Sequence, residues 1–155
     1  MKKRGWTLLL TGVVAGGAGL ALPALPAVGS HSPPGFFHDV EVGEPVRLLA
    51  KGAAIVVPVE VRCGPGAAFA SVSVQASQSR GRHVATAGGS TGGGPIGGAP
   101  VTCDGTVQVI EVLLTPQGGA FKSGEAVVRA TLFVCPATPG PCQEDTDVEI
   151  VTIRK

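Results

Sequence analysis

The sequence predicts an all-β protein, an antiparallel β-sandwich of about seven short strands behind a signal peptide. Apolar and polar residues alternate with a period of two in several separate runs, and clusters of Gly, Pro and Asp divide these runs, which is the pattern of short strands joined by turns. After residue 29, no stretch of sequence has the 3.6-residue apolar period of an amphipathic helix. Many short strands without helices indicate a sandwich or a barrel.

The signal peptide is predicted from the order of residues at the amino terminus. Three cations at residues 2–4 precede an apolar stretch at residues 6–22, and small residues at 27–29 come before Ser30, which is the order that a signal peptidase recognises. We expect cleavage after Gly29 and a secreted, extracellular protein. A retained membrane anchor is the alternative, but the 17-residue apolar stretch includes four glycines and is shorter than the ~20 residues of a spanning helix.

The mature chain is then expected to have an irregular lead-in at residues 30–44 and a sandwich domain at residues 45–155. Cleavage leaves 126 of the 155 residues and removes three of the 12 cations, so nine Lys and Arg face 11 Asp and Glu, a net charge of about −2. Nucleic acids and anionic membranes bind proteins that have a cationic excess on one face. We therefore expect no nucleic-acid partner, and no membrane contact after cleavage.

The four cysteines, Cys63, Cys103, Cys135 and Cys142, all lie in the mature chain. An even number of cysteines behind an export signal predicts two disulfides, with three possible pairings. The residues between Cys135 and Cys142 include three prolines and a glycine, and a turn of this composition brings its ends together. This favours Cys135 with Cys142 and Cys63 with Cys103. A zinc site is disfavoured because the chain has no CxxC pair and no His close to a Cys.

The strands can be placed along the chain from the alternating runs. They lie near residues 46–50, 55–63, 70–77, 82–87, 107–114, 126–134 and 148–153. In the second of these, Pro58 has no amide hydrogen and is expected at a sheet edge or a bulge. Residues 88–98 contain seven glycines and are expected to form a loop, and the chain is expected to break again at residues 116–119.

The strand at residues 107–114 follows Asp104 and Gly105, the strongest turn dipeptide of the chain. Gln108 and Glu111 in this strand would point to opposite faces, which implies a bulge or a strand covered on both sides. We expect the disulfide from Cys63 to Cys103 to join facing sheets, because both cysteines fall on apolar strand faces. The arrangement is Ig-like in outline, although Trp6 lies in the signal peptide and the chain has no Tyr for the core positions of immunoglobulin domains.

Several motifs occur in a fixed order along the domain. Val-Glu-Val-Arg-Cys at residues 59–63 is followed by a Gly-rich loop, by Val-Thr-Cys-Asp-Gly at 101–105, by Ala-Phe-Lys-Ser-Gly-Glu-Ala at 120–126 and by a loop between two cysteines. This order resembles small secreted proteins of actinobacteria that have an Ig-like β-domain, two disulfides and no assigned function. The resemblance covers roughly residues 45–155. It implies the secreted location and the fold, and it transfers no catalytic or binding residue.

No catalytic residue, cofactor or metal ligand is predicted. Residues 88–92 fit the G-x-S-x-G pattern, but that motif needs a strand before it, a helix after it and a downstream His, and the last histidine is His83. His83, Asp104 and Ser123 have the order of another triad, which carries no weight without geometry. We therefore expect the protein not to be an enzyme.

Glu144, Asp145, Asp147 and Glu149 form the only acidic run. Carboxylates bind hard cations such as calcium, but the run lacks the spacing of an EF-hand. The favoured interpretation is a solvated acidic edge that keeps the last strand from pairing with other chains.

In the lead-in, His31 and His38 lack a third metal ligand and are expected to be exposed. Phe36 and Phe37 are expected to anchor the lead-in onto the sandwich, because two adjacent large apolar side chains in solvent are disfavoured.

Three functional classes fit the chain. The favoured class is a secreted, non-enzymatic β-domain that binds an extracellular protein or ligand, or serves as a structural module, with its specificity in the loops. The second is a protease inhibitor that presents the rigid loop from Cys135 to Cys142. The third is a small-ligand carrier similar to the apoproteins of enediyne antibiotics, which would need an apolar cleft lined by aromatic side chains.

Overall fold

The structure, a computed structural model, describes residues 37–91 and 100–155. The predicted signal peptide at residues 1–29, His31 and Phe36 lie outside the described residues. The described part of the chain is almost entirely β-strand and contains no α-helix, which confirms the all-β fold class. One short 3-10 helix, Ala50–Gly52, occupies the position of the turn after the first predicted strand.

Nine strands are present in the described ranges where about seven were predicted. They are β1 His38–Val42, β2 Val46–Leu49, β3 Ala54–Cys63, β4 Ala67–Arg80, β5 His83–Thr91, β6 Val107–Leu114, β7 Pro116–Gly118, β8 Gly124–Pro136 and β9 Gln143–Arg154. The seven predicted strands correspond to β2 to β6, β8 and β9. The two additional strands, β1 and β7, are short and lie at the ends of the pairing order.

The strands form two layers. In the first layer β3 is central, with β6 along one edge and with β1 and β2 one after the other along the opposite edge. The second layer is antiparallel in the order β9, β8, β4, β5 and β7. A short parallel pairing, Val46 with Ile153, connects the first layer to the second.

The core lies between the two layers and is made by the alternation that the sequence shows. In β3, Ile55, Val57, Val59 and Val61 are buried. They pack with the buried alternate residues of the other long strands in one continuous hydrophobic cluster. Each fully buried Val or Ile contributes roughly 1.5–3 kcal/mol of transfer free energy. The strand registers are therefore fixed, since a slip of one residue would turn these side chains into solvent.

Strand β1 lies within the residues predicted to be an irregular lead-in. It pairs with β3 from His38 opposite Cys63 to Val42 opposite Val59. The chain then leaves β3 and returns as β2, and Pro58 lies opposite this interruption, where its carbonyl accepts a hydrogen bond from the Gly43 N–H at 2.9 Å. Pro58 was expected at a sheet edge or a bulge, but β3 is central. A nitrogen without hydrogen is tolerated because it faces the gap between β1 and β2, where no ladder partner stands.

Strand β5 extends into the predicted glycine loop. Gly88 to Thr91 pair with β4 in an unbroken register that ends at Thr91 opposite Val72, so the first part of the loop prediction is wrong; residues 92–98 lie outside the described residues. Gly89 permits a close approach of β5 to β6. A Cβ atom at Gly89 would lie 2.8 Å from Leu114 Cδ2 and 3.1 Å from the Leu113 carbonyl oxygen.

Strand β6 has neither a bulge nor cover on both sides. Its register with β3 is continuous, and Ile110, Val112 and Leu114 are buried while the alternate residues are exposed. Gln108 falls on the inner side of the strand but lies at its beginning, where its side-chain amide bonds to the backbone of Thr102. The polar residue is thus satisfied by a neighbouring loop, which removes the need for the predicted bulge.

The structure contains the two disulfides that the sequence favours, Cys63–Cys103 and Cys135–Cys142. The second closes the turn from β8 to β9. The first does not join facing sheets: Cys103 lies in the segment before β6, and β6 is the direct neighbour of β3. It ties the end of β3 to the entry of an adjacent strand in the same layer.

Candidate binding surface

Of the three residues with a triad order, His83 and Asp104 make separate structural contacts, and the Ser123 hydroxyl oxygen is buried without a hydrogen-bond partner in the described part of the chain. His83 Nε2 lies 3.2 Å from the Ala120 carbonyl oxygen. Asp104 Oδ1 accepts hydrogen bonds from the hydroxyl and the N–H of Thr106, and these bonds, the hydroxyl first, lower the pKa of the Asp104 carboxyl group. No hydrogen bond joins any two of His83, Asp104 and Ser123 in the ranges that the structure covers.

The G-x-S-x-G pattern also lacks the geometry of a nucleophile elbow. Ser90 is paired within a strand ladder, opposite Ser73 of β4, whereas the elbow holds its serine in a strained turn between a strand and a helix. Gly88 and Gly89 are strand residues here, and Gly92 lies outside the described residues. The pattern is therefore a coincidence of a glycine-rich strand.

The acidic run lies on β9, and strand alternation divides it between two faces. Asp145 Oδ2 accepts a hydrogen bond from the Val40 N–H at 3.1 Å, and Asp147 Oδ2 accepts one from the Val42 N–H at 2.8 Å. Glu144 is exposed on the opposite face. Within the described ranges, no group of three or more His, Cys, Asp or Glu is placed to hold a metal ion. The two aspartates instead satisfy the amides of β1.

A group of hydrogen bonds around Gln78, which the sequence analysis missed, holds the loop before β8. Gln78 is 3% exposed, and its Oε1 accepts a hydrogen bond from the Lys122 N–H at 2.8 Å. Its Nε2 donates to the carbonyl oxygens of Lys122 at 2.8 Å and Glu125 at 3.1 Å. The available signal in the sequence was that Gln78 occupies an inward position of β4, where the other inward residues are apolar. Phe121, in the same loop, is buried.

A concave surface lies on the outer face of the five-stranded layer. It is an open groove of about 450 Å³. Its lining residues come from β4, β5, β7, β8 and β9: Gln75, Ala76, Ser77, Thr86, Ala87, Gly88, Gln117, Val127, Arg129 and Val148. Gly88 lies opposite Gln75, and because it has no side chain, the groove is not filled at this position.

Arg129 is the one charged residue of this groove. It stands between Gln75 of β4 and Val148 of β9 in the sheet register. The ion pair found among the described residues is Arg47 with Glu111 in the other layer, so Arg129 has no carboxylate partner there. Its guanidinium group offers five N–H donors in a planar fork, and it was not singled out from the sequence.

Exposed apolar side chains border Arg129. Val127, Val148 and Ile150 are 43%, 47% and 70% exposed, and Val127 and Ile150 are direct cross-strand neighbours. The rest of the groove is uncharged and consists of four hydroxyl or amide side chains, two alanines and a glycine. Arginine is among the residues enriched at protein–protein interfaces, which makes this groove the candidate binding surface.

The loop from Cys135 to Cys142 lies at one end of the same layer. Its residues 137–142 are exposed, and the Ala137 N–H donates to the Gly66 carbonyl oxygen at 2.8 Å. Phe69 and Phe133 make an edge-to-face contact near this loop, with ring centroids 6.4 Å apart. Phe37 is 38% exposed and its ring lies 4.9 Å from the Arg62 guanidinium carbon, so it contacts the sandwich as expected without being buried.

The fold and the two disulfides define a small disulfide-bonded β-sandwich, a class typical of oxidising compartments. No protein-family model matches the chain, and it matches neither a curated protein nor a solved structure. In the part of the chain that the structure describes, no helix has the length and apolar character needed to cross a membrane.

Proposed function

We propose that the protein is a secreted, non-enzymatic binding module that recognises a partner protein through the outer face of the five-stranded layer. The observation that carries the proposal is the groove around Arg129, an unpaired cation bordered by exposed valines. The partner presents an Asp or Glu carboxylate to the guanidinium group and apolar side chains to Val127 and Val148. A bidentate pair of this kind gains strength when the surrounding surface is desolvated.

The secreted location is supported by the residue order of the signal peptide and by the two disulfides. The Ig-like arrangement is supported by the strand order. β1, β3 and β6 adjoin in one layer, and β9, β8, β4 and β5 adjoin in the other, which resembles the two sheets of a variable-type immunoglobulin domain. The resemblance to small secreted actinobacterial proteins is consistent with both.

A carrier of an aromatic chromophore is less well supported than a protein-binding module. The groove has no aromatic lining residue. Among the described phenylalanines, Phe121 is in the core, Phe37 stacks on Arg62, and Phe69 and Phe133 pack on each other.

The exposed loop between Cys135 and Cys142 favours a protease inhibitor as a second candidate. A disulfide and three prolines hold this loop, and rigid exposed loops bind at low entropic cost. Titration against subtilisin-like proteases tests it directly. Stoichiometric inhibition would support the inhibitor, and full protease activity at a molar excess of the protein would exclude it for that protease class.

The binding module is tested by photo-crosslinking from the groove. A photoreactive residue replaces Val148 in the mature protein, which is then incubated with the culture medium of the producing organism. We expect one adduct with a partner whose cross-linked segment contains Asp or Glu. Arg129→Glu should lower its yield at least about tenfold, the loss of one strong charged pair. Arg82→Glu is the matched control, since Arg82 is exposed in the turn between β4 and β5. The proposal fails if no adduct forms or if both variants behave alike.

A further inference from the structure

We infer that the outer edge of β6 is a dimerisation site at which two copies of the chain pair antiparallel.

The ladder geometry identifies the backbone groups at this edge. The amides of Val40 and Val42 point away from β3, to the aspartates of β9, and the Pro58 carbonyl points toward Gly43. Even-numbered residues of β3 therefore bond toward β1, since hydrogen-bonded pairs alternate along an antiparallel ladder.

The odd-numbered residues of β3 consequently bond toward β6. Val59 and Val61 pair there with Ile110 and Gln108, so Ile110 and Gln108 use their backbone groups within the layer. The intervening residues of β6 direct their N–H and C=O groups outward. The position of the Leu113 carbonyl oxygen, which faces Gly89 of β5, agrees with this assignment.

The outward groups of Val107, Val109 and Glu111 have no ladder partner among the described strands, because β6 pairs with β3 alone. Among the side chains that usually discourage pairing, this edge has a single charged residue, Glu111. Val107, Val109 and Leu113 are 59%, 61% and 59% exposed, and the eight residues of β6 include no Pro and no Lys. Natural edges of this length and apolar character are normally covered or charged.

Three other edges of the described sheet contrast with β6. The outward amides of β1 are capped by Asp145 and Asp147. Strand β7 is only three residues long. Beyond its short pairing with β2, β9 is also an edge, and it carries the four carboxylates of the acidic run. Strand β6 is therefore an apolar edge that can accept another strand.

A second copy fits this edge because the pairing is self-complementary. A two-fold axis at Val109 sets Val109 against its own copy and sets Val107 against Glu111 of the other copy, with about six backbone hydrogen bonds. The two Glu111 side chains do not oppose each other, and each is already paired with its own Arg47 at 2.7 Å. The contact covers a few residues per chain, so we expect a weak dimer.

The test is sedimentation velocity of the mature protein from ~10 μM to ~1 mM, the range in which small interfaces associate. We expect a monomer–dimer equilibrium in the wild type. Val109→Pro removes an N–H that points outward and leaves the β3 ladder intact, so it should abolish the dimer. Val109→Lys should do the same by charge repulsion at the axis, and it decides the question if the proline variant does not fold.

Val84→Lys is the matched control, because Val84 is an equally exposed valine, 57%, on β5. It should leave the dimer unchanged. A wild type that stays monomeric throughout, a dimer that survives both Val109 variants, or a dimer lost equally in Val84→Lys would each overturn the inference.

Discussion

Asp147 Oδ2 accepts a hydrogen bond from the backbone N–H of Val42 at 2.8 Å, across 105 residues of sequence. With the equivalent bond from Val40 to Asp145, it fastens β1 to β9 although these strands share no ladder. The acidic run was expected to keep the last strand, β9, from pairing with other chains through its charge. Two of its members protect a different edge, that of β1, by occupying its donors.

The first prediction concerns this carboxylate. Asp147→Ala should lower the free energy of unfolding by about 1.5–3 kcal/mol, because it leaves a half-buried N–H without its charged acceptor. Asp147→Asn should cost less, since its side-chain oxygen can still accept. Glu149→Ala is the control, as Glu149 is exposed and should change stability by no more than about 0.5 kcal/mol. Urea denaturation measures all three, and equal losses for Asp147 and Glu149 would contradict the role of the bond.

The second prediction concerns Gln78. Gln78→Ala should destabilise the protein by about 3 kcal/mol or more, since three hydrogen bonds disappear and the part-buried Lys122 amide loses its acceptor. Gln78→Glu should also be destabilising, because a carboxylate cannot donate to the two carbonyl groups. Gln75→Ala, at an exposed position of the same strand, is the control. Hydrogen exchange at the Lys122 amide should accelerate in Gln78→Ala and not in Gln75→Ala, and unchanged exchange in Gln78→Ala would argue against this role of Gln78.

The third prediction uses two adjacent glycines. Gly89→Ala should cost about 1–3 kcal/mol through overpacking, because its Cβ would fall 2.8 Å from Leu114 Cδ2. Gly88→Ala should be tolerated, since the nearest atom to its Cβ is 3.9 Å away. Thermal unfolding of both variants compares them. If Gly88→Ala were the more harmful change, the closeness of β5 to β6 would be wrong.

The fourth prediction compares the disulfides. Replacing both Cys63 and Cys103 by Ala should cost roughly 4 kcal/mol in the loop-entropy relation, and replacing Cys135 and Cys142 roughly 2.5 kcal/mol, because the closed loops span 40 and seven residues. Denaturation of the two double variants under non-reducing conditions gives the ranking. Peptide mapping that found Cys63 joined to Cys135 would contradict both the pairing and the ranking.

Much of the fold could be predicted because alternation is a local property. A strand with one buried face shows a period of two within its own residues, so β3, β4 and β8 were found without knowledge of their partners. The pairing of Cys135 with Cys142 was equally local, because the intervening prolines bring them together. Strand β1 was missed because it has only two apolar residues, Val40 and Val42, on its inner side.

The candidate site was not predicted, because it exists only between strands. Gln75, Arg129 and Val148 lie on three strands and become neighbours through the registers of β4, β8 and β9. In the sequence each of them is one more outward residue of an alternating run. Gln78 was hidden in the same way, since its partners at Lys122 and Glu125 are 44 and 47 residues away.

The sequence by itself therefore determined the all-β class, most strands and the favoured cysteine pairs, since these depend on periodicity and on short spacers. The tertiary structure alone decided which edges are capped, which cation lines the groove and which glycine must be small. These properties depend on distances between residues that are remote in the chain, and a one-dimensional pattern carries no such distances.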